Sequence, residues 1–376
     1  MDILIDASRN RSGGAISHIL GILNDGINPS VYGIKKVYVC SYSKLLNRIN
    51  DKPWLCKVNH IFLEKSIFHQ LIWQIFILPR YFKNRKINVC LYTDASAYVM
   101  IKNSIVMSRD MLSFEPGHID LFPNFKDRLR LKIIGWLQIR SMRKAKNVVF
   151  LTKYAKYVIS KYTGSLNSVS IIPHGLKNNF INVWKHRKEL SKPISIIYVS
   201  NASHYKHHIN VLKAVKEINK KGIDVKLNLI GANIGPASTK LQNAIKIEDA
   251  KSYVRTTKFM NANEIVDELK TADLGIFASS CENMPNTLIE MMGSGIPIAC
   301  SNRGPMLEVL GTSNFTFNPF KSSEIYDVLM DMINNYETAK MHGKICLERS
   351  KKFSWVKCSK DTFKNISELE FDNYLN

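Results

Sequence analysis

Short apolar runs alternate with longer amphipathic stretches along the first half of the chain. The runs are bounded by Gly, Asn, Asp, Ser or Pro, as buried strands are, and several are followed by stretches with helical spacing. The predicted strands are 1–6, 36–40, 58–63, 87–92, 104–108, 147–151 and 169–172, with helices at 16–23 and 152–161 among them. This alternation indicates a parallel sheet.

A second alternation follows the polar, basic stretch 177–192, which ends at Pro193 and is predicted to be a linker. The predicted strands are 194–200, 225–230, 273–278 and 296–300, and the predicted helices are 209–219, 239–247, 263–272, 286–292, 322–335 and 340–349. A chain of 376 residues exceeds what one hydrophobic core usually fills. We therefore expect two α/β domains.

Cysteine usage and the lack of long apolar runs favour a cytoplasmic protein. The seven cysteines are odd in number and form no C-x-x-C pair, which fits packed thiols in a reducing compartment. The chain begins directly as a strand, without the pattern of a signal peptide. The best apolar run, 71–78, is broken by Gln74 and is much too short to span a membrane.

The positive charge is concentrated in the first half of the chain. Of a net charge of +22, residues 1–185 carry 28 lysines and arginines against 10 acidic residues, whereas the remainder carries 25 against 21. The first half should therefore meet an acidic partner, and composition alone does not choose between nucleic acid and anionic lipid.

Two segments of the basic half combine aromatic residues with clustered lysine and arginine. They are 67–86, which includes Trp73, and 125–146, which includes Trp136. Basic amphipathic helices with tryptophan are typical of interfacial membrane binding, but either segment alone fits equally well a helix that packs on a sheet and has a solvated face. Their presence together favours contact with an anionic membrane.

The stretch 279–311 carries the candidate chemistry. It follows strand 273–278 as a loop with Glu282, a helix 286–292 with Glu290, and then strand 296–300. The start of a helix at the carboxyl end of a parallel strand suits a phosphate, and carboxylates accept hydrogen bonds from hydroxyls. The combination indicates an anionic ligand with many hydroxyls, as in a nucleotide sugar.

These residues resemble the E-x7-E signature of retaining glycosyltransferases of family 4 (group 1). Glu282 and Glu290 are followed by Gly295-Ile296-Pro297 and by Gly304-Pro305-Met306-Leu307-Glu308, and the whole string is similar to bacterial members that build O-antigen or capsule. The resemblance implies two Rossmann-like domains facing across a cleft, the GT-B fold. It implies an acceptor-binding, membrane-facing domain at 1–175, a donor-binding domain at 176–355 and a final helix at 356–376 that returns to the first domain.

The resemblance also implies roles for individual residues. Glu290 is expected to hold the ribose, Glu282 the sugar and Lys206 the departing diphosphate. The other donor-binding candidates are Asn201, Asn283, Met284, Pro285, Asn286 and Thr287. The family pattern places an arginine near Asn201, so the register of that turn stays open.

In the first domain the resemblance points to two turns that follow strands. Arg109-Asp110 replaces the His-Asp of many members and is similar to the R-N-M form of closer relatives, so both residues are catalytic candidates. Gly13-Gly14 by itself fits a plain turn or a phosphate loop equally. In the family this turn belongs to the reaction centre. His174 resembles part of the P-N-G turn and is predicted to be a linker residue.

No metal or other cofactor is predicted. The sequence has no D-x-D triplet, with which many metal-dependent glycosyltransferases hold the diphosphate. His204, His207 and His208 have no carboxylate or thiol at ligand spacing, which favours a solvated loop.

The sequence thus predicts a retaining hexosyltransferase that acts in surface-polysaccharide synthesis. Its predicted partners are a UDP- or GDP-linked sugar donor, a polyprenyl-diphosphate-linked saccharide acceptor and the cytoplasmic face of the inner membrane. A sugar-nucleotide epimerase of the same architecture is the alternative, although it needs acid and base carboxylates in the first half. A nucleic-acid-binding protein would explain the charge, but no nucleic-acid-binding motif is present.

Overall fold

The chain forms two compact α/β units in a computed structural model that describes residues 1–11 and 13–369. The first unit contains residues 1–119, 123–175 and the described part of 353–376, and the second contains 120–122 and 176–352. The predicted final helix is therefore described only up to residue 369, and its residues 370–376 lie outside the described part of the chain.

The first unit is built on a seven-stranded parallel sheet in the order β3-β2-β1-β4-β5-β6-β7. Its strands are β1 Asp2–Asp6, β2 Lys36–Cys40, β3 Leu55–Val58, β4 Val89–Tyr92, β5 Ser104–Met107, β6 Asn147–Phe150 and β7 Val169–Ile171. Four of them, β4, β5, β6 and nearly all of β1, are buried on both faces, because helices cover parallel sheets on both sides.

The second unit contains a six-stranded parallel sheet in the order β10-β9-β8-β11-β12-β13. Its strands are β8 Ile194–Val199, β9 Val225–Ile230, β10 Val254–Thr256, β11 Leu274–Phe277, β12 Ile298–Ser301 and β13 Thr316–Phe317. In both sheets the chain builds outward on one side of a central strand and then returns to its other side.

The helices connect successive strands and close each unit. Those of the first unit are α1 Gly13–Asn24, α2 Ser43–Leu46, α3 Ile61–Glu64, α4 Ile67–Ile72, α5 Leu78–Asn84, α6 Phe125–Lys144, α7 Lys153–Thr163 and α15 Trp355–Glu368. Those of the second are α8 His208–Lys220, α9 Ser238–Ile247, α10 Ala262–Thr271, α11 Asn286–Ser294, α12 Met306–Leu310, α13 Ser322–Asn334 and α14 Tyr336–Ser350. No helix in the described residues is long and apolar enough to cross a membrane.

Two predicted segments were wrong. The strand expected at 58–63 is β3, which ends at Val58 opposite Cys40, the last residue of β2; the His60 side chain then accepts from the N–H of Phe62 and starts α3. The segment 177–192 is no exposed linker, because Phe180 and Trp184 are buried and the Trp184 indole donates to the Ala272 carbonyl (2.8 Å).

The C-terminal helix α15 packs on α1 within the first unit. A Cβ added to Gly21 of α1 would lie 2.1 Å from the ring of Trp355, so only glycine allows the helices to approach this closely. A Cβ at Gly175 would lie 2.1 Å from the Trp355 backbone nitrogen. The rings of His18, His174 and Trp355 pack together, with centroid distances of 5.0 to 6.0 Å.

Helix α6 presents an apolar stripe that the first unit leaves uncovered. Phe125, Leu129, Ile133 and Trp136 recur every three or four residues and are 75, 45, 51 and 63% exposed. Trp73, by contrast, is 1% exposed in a π-helical turn between α4 and α5. Its predicted place in a membrane-binding segment is therefore wrong, because it serves the core.

Candidate active site

Several candidate residues follow the strands at which the strand order of each sheet reverses. In a parallel sheet, ligands bind at the carboxyl ends of the two neighbouring strands from which the chain leaves in opposite directions. These strands are β1 and β4 in the first unit and β8 and β11 in the second. Gly13 follows β1, whereas Lys206 follows β8 and Glu282 follows β11.

In the second unit the structure brings Lys206 and Glu282 into direct contact. The Lys206 ammonium donates to Glu282 Oε1, and both side chains are largely shielded from solvent. The ammonium also lies 5.2 Å from the ring centroid of Phe277 and 5.4 Å from that of Tyr205. Because both side chains are shielded from solvent, water screens the attraction between these two charges only weakly.

Hydrogen bonds between two loops fix this pair. The Tyr198 hydroxyl donates to the Lys206 carbonyl (2.9 Å), the Ser280 N–H donates to the Tyr205 carbonyl (2.9 Å), and His207 Nε2 lies 2.8 Å from Ser280 Oγ. The loop after β8 is thereby tied to the loop after β11. Lys206 is positioned by its surroundings before any ligand binds.

The rest of the loop after β8 differs from the sequence prediction. His208 is buried as the first residue of α8, lies 3.0 Å from Ser200 Oγ and stacks on Tyr198; burial lowers its pKa to about 3. The solvated loop predicted for the three histidines is therefore wrong for His208. Asn201 is exposed, and its Oδ1 accepts from the Ser203 hydroxyl (3.2 Å).

The residues from Asn283 to Thr287 lead into α11. Asn283 and Met284 are buried, and Pro285 directly precedes the helix without a side-chain cap. Asn286 and Thr287 are half-buried, and the first turn of α11 has N–H groups with no partner inside the helix, as every helix start does. These donors and the helix dipole suit an anion.

Glu290 lies on α11 and is half-buried. Burial raises the pKa of its carboxyl to about 7, and Lys177 opposes that shift only in part. Among the described residues, none donates a hydrogen bond to this carboxylate. The protein therefore keeps a costly ionisable group ready to accept hydrogen bonds, which is typical of functional sites.

In the first unit Arg109 lies beside the start of α1. Its Nη2 donates to Asn10 Oδ1 (3.1 Å), and the Asn10 side-chain amide donates to the Ala15 carbonyl in α1 (3.1 Å). Gly13 and Gly14 form the first turn of α1, which begins three residues before the predicted helix, with Gly13 at φ +51°. The structure thus brings Arg109 and the Gly13-Gly14 turn together.

Asp110 is half-buried after β5. Its Oδ1 accepts from the Leu112 N–H (3.0 Å), and burial raises its pKa. Burial disfavours the charged form of Arg109 as well and therefore lowers its pKa, while the neighbouring Asp94 opposes that change.

Three charged residues of these sites were missing from the sequence prediction. Arg9 and Asp94 belong to the first-unit cluster, and Lys177 acts on Glu290 in the second unit. A signal existed for Asp94, because it follows β4 as closely as Asp110 follows β5. Among residues 1–11 and 13–369, no group of three or more His, Cys, Asp or Glu is placed to hold a metal ion.

Comparison with protein families gives a match in the second unit. Residues 181–346 match the family described as glycosyl transferases group 1. The D-inositol 3-phosphate glycosyltransferase of Paenarthrobacter aurescens is 20% identical over 224 residues, which are 57% of this chain and 55% of that protein. The chain thus spans about half the length of the curated relatives it matches.

Solved structures match over nearly the whole chain. Sucrose-phosphate synthase from Thermosynechococcus elongatus has a TM-score of 0.75 at 12% identity, covering 96% of this chain and 97% of that one. HepE of Anabaena, solved in complex with UDP and glucose, has a TM-score of 0.72 at 16% identity, covering 98% and 100%. The predicted GT-B fold is confirmed by these structures, and the match to glycosyl transferases group 1 covers residues 181–346.

Proposed function

We propose that the chain transfers a hexose, with retention, from a nucleoside diphosphate sugar to a hydroxyl of a lipid-linked saccharide in surface-polysaccharide synthesis. The observation that carries this proposal is the shielded Lys206–Glu282 contact at the carboxyl ends of β8 and β11, ahead of Glu290 on α11. The similarity to HepE, whose complexes contain UDP and glucose, supports a nucleotide-sugar donor.

Each part of the second-unit site would take one part of the donor. The start of α11 and the Lys206 ammonium bind the diphosphate, and Glu290 accepts hydrogen bonds from the ribose. Glu282 and the backbone from Asn283 to Asn286 hold the hexose. Lys206 then stabilises the charge that develops on the leaving diphosphate without a metal ion.

Donor binding would exchange partners within this site. Lys206 and Glu282 neutralise each other in the structure. A diphosphate offers the ammonium a stronger partner, and sugar hydroxyls offer the carboxylate new donors. Lys206 and Glu282 therefore stay paired with each other until the donor binds. The diphosphate then becomes the partner of Lys206, and the sugar hydroxyls become the partners of Glu282.

The first unit would supply the acceptor side. Arg109, Asp110, Gly13 and Gly14 lie at one edge of its sheet and are assigned to the reaction centre. No side-chain nucleophile is assigned. As the resemblance to family 4 implies, the departing diphosphate takes the acceptor proton on the same face of the sugar.

The α6 stripe would dock this unit on the anionic inner-membrane surface that carries the acceptor. Phe125, Leu129, Ile133 and Trp136 are exposed together, and Lys126, Arg130 and Lys132 are exposed on the same helix. Aromatic and aliphatic side chains enter the headgroup boundary while cations bind lipid phosphates. The charge of the first half of the chain complements such a surface.

Ligand binding to the purified chain tests the proposal. UDP or GDP should raise the melting temperature at physiological salt, whereas duplex DNA should not, and Glu290→Gln should weaken the nucleotide effect. Incubation with a panel of nucleotide sugars should release free hexose slowly; formation of an epimeric nucleotide sugar would instead favour the epimerase. Stabilisation by DNA but by neither nucleotide would overturn the assignment.

A further inference from the structure

Asp94 occupies an unusual position directly after β4 in the first unit. Its side chain is 30% exposed, whereas Thr93 before it is buried. Both Arg9 and Arg109 act electrostatically on its carboxylate, and they hold its pKa below the usual range despite burial of the group. Asp94 is therefore an ionised, accessible carboxylate between two guanidinium groups.

The hydrogen bonds of this cluster leave defined atoms available. Asp94 Oδ1 accepts from the N–H (2.8 Å) and the hydroxyl of Ser96, while among the described residues Oδ2 accepts no hydrogen bond. Arg109 Nη2 carries two hydrogens and donates one to Asn10. Its distance of 3.9 Å from Asp94 Oδ2 is too long for a hydrogen bond.

The surrounding contacts hold this arrangement rigid. Arg9 Nη1 donates to the Ser96 carbonyl (2.8 Å), and the Arg9 guanidinium lies over the ring of Tyr98 at 5.6 Å. The buried Thr93 hydroxyl lies 2.9 Å from Asn10 Oδ1 and 2.8 Å from the Asp6 carbonyl oxygen, and its single hydrogen can be donated to one of them. An acceptor and a donor are thus fixed side by side at the edge of the sheet.

A pair of neighbouring hydroxyls matches this geometry. One hydroxyl can donate to Asp94 Oδ2 while its neighbour accepts from Arg109 Nη2, and a sugar ring offers such pairs along its edge. A phosphate would face the ionised Asp94 at close range, so an anion fits less well.

We propose that Asp94, flanked by Arg9 and Arg109, binds two adjacent hydroxyls of the acceptor saccharide and so orients the acceptor. This inference rests on the proposed glycosyltransferase function and adds to it a specificity-determining residue. In this arrangement Asp94 contacts the acceptor sugar away from the bond that forms. Its replacement should therefore weaken the affinity for the acceptor.

Saturation-transfer NMR on the full chain tests the inference with methyl glycosides of glucose, galactose and mannose in the presence of saturating UDP. At least one glycoside should bind, and Asp94→Asn should weaken it about 10- to 100-fold, because a hydrogen bond to a charged group is lost. The side-chain oxygen of Asn can still accept the hydrogen bonds from Ser96, so the Asp94→Asn variant should keep its fold. Arg9→Gln is a second variant of the same cluster. Asp51→Asn removes an exposed carboxylate of the same unit and should change nothing.

Two comparisons locate the bound sugar. The signals lost in Asp94→Asn should survive Glu282→Gln, which affects the donor site. A monodeoxy glycoside that lacks a contacted hydroxyl should bind the wild type weakly, and Asp94→Asn should not weaken it further. The inference is overturned if no glycoside binds the wild type or if both Asp94→Asn and Arg9→Gln bind as the wild type does. Stabilisation by UDP is scored separately, so that failure of the proposed function is seen independently.

Discussion

Glu290, the proposed ribose-binding residue, shows at the scale of one residue how a buried carboxyl costs stability. Its carboxyl has a pKa of about 7 in the folded chain, against an ordinary value near 4.5 when exposed. Folding therefore holds a proton on this group between those pH values. Stability falls as the pH rises from about 4.5 to 7 and stays reduced above 7.

We predict that Glu290→Gln stabilises the chain at pH 8. The variant removes the cost of burying a carboxylate, on the order of 2 to 3 kcal/mol for a shift of this size. Urea unfolding at pH 8 and pH 5 measures it, and most of the gain should be absent at pH 5, where the folded wild type is neutral at this position. Equal gains at both pH values would contradict the raised pKa.

We also predict that UDP binding weakens about tenfold between pH 8 and pH 6. Ribose hydroxyls donate to the ionised carboxylate, and protonation of Glu290 in the free chain competes with them. Isothermal titration calorimetry measures the affinity. UDP itself takes up a proton near pH 6, which also changes its affinity. Glu290→Gln is therefore the reference, because its UDP affinity should change with pH only through the protonation of UDP.

Removal of Lys206 should affect turnover. Lys206→Ala should lower transfer by about 10² to 10³, the usual effect of losing a preorganised partner of developing charge. Lys213→Ala removes an exposed lysine from the same unit and serves as the control, and EDTA should change wild-type activity little. An unimpaired Lys206→Ala enzyme, or an enzyme inactivated by chelation, would rule out the metal-free mechanism.

Candidate site residues could be selected from the sequence only where a local pattern marks them. Glu282 and Glu290 are separated by seven residues on one loop and helix, so the sequence alone marks both. Lys206 was placed by the pattern of the family, yet its contact with Glu282 joins two distant loops. The raised pKa of Glu290 and the pairing of Asp94 with two arginines depend on packing, which no local pattern encodes.

Helix α6 illustrates the scale of a single element. Its bounds, Phe125–Lys144, lie within two residues of the predicted segment, because twenty residues of helical spacing leave little ambiguity. Spacing could not tell which apolar positions face solvent. The strand predicted at 58–63 failed for a related reason, since its end is set by the partner strand β2.

We predict that replacing Lys126, Arg130 and Lys132 by Ser lowers binding to phosphatidylserine-containing vesicles by about 10²-fold. Each such residue near the surface contributes on the order of 1 kcal/mol. Replacing Lys344, Lys351 and Lys352 removes the same charge from exposed positions of the second unit and should have little effect. Vesicle sedimentation measures both.

The stripe on α6 should account for binding that survives salt. At high ionic strength the attraction of the lysines and arginines is screened, whereas burial of an aromatic ring is not. Trp136→Ser should therefore lower the residual binding in 0.5 M salt. Vesicle binding that neither variant reduces would place the membrane contact elsewhere.

At the scale of the whole molecule, close packing between the ends of the chain holds the first unit together. Helix α15 lies more than 300 residues after α1, and Gly21 allows their contact. The sequence predicted both α/β halves from their alternation. It could not predict this contact from spacing, because Gly21 has the pattern of an ordinary residue in an apolar helix.

We predict that Gly21→Ala destabilises the chain by about 1 to 3 kcal/mol, because the added methyl overlaps the Trp355 ring. Urea unfolding measures the loss. Combining Gly21→Ala with Trp355→Leu should cost less than the sum of the two single changes, since the smaller side chain leaves room for the methyl. Full additivity would show that the two residues do not meet.

The contact of Gly175 with Trp355 has a further consequence. The chain leaves the first unit after Gly175 and re-enters it at Phe353, and these two points touch. The stretch 176–352 is therefore an insertion whose ends meet at one place on its host, so a different cassette can be grafted there without breaking the host's sheet. Recombination at two adjacent points would therefore exchange this insertion as one piece while the host's sheet persists.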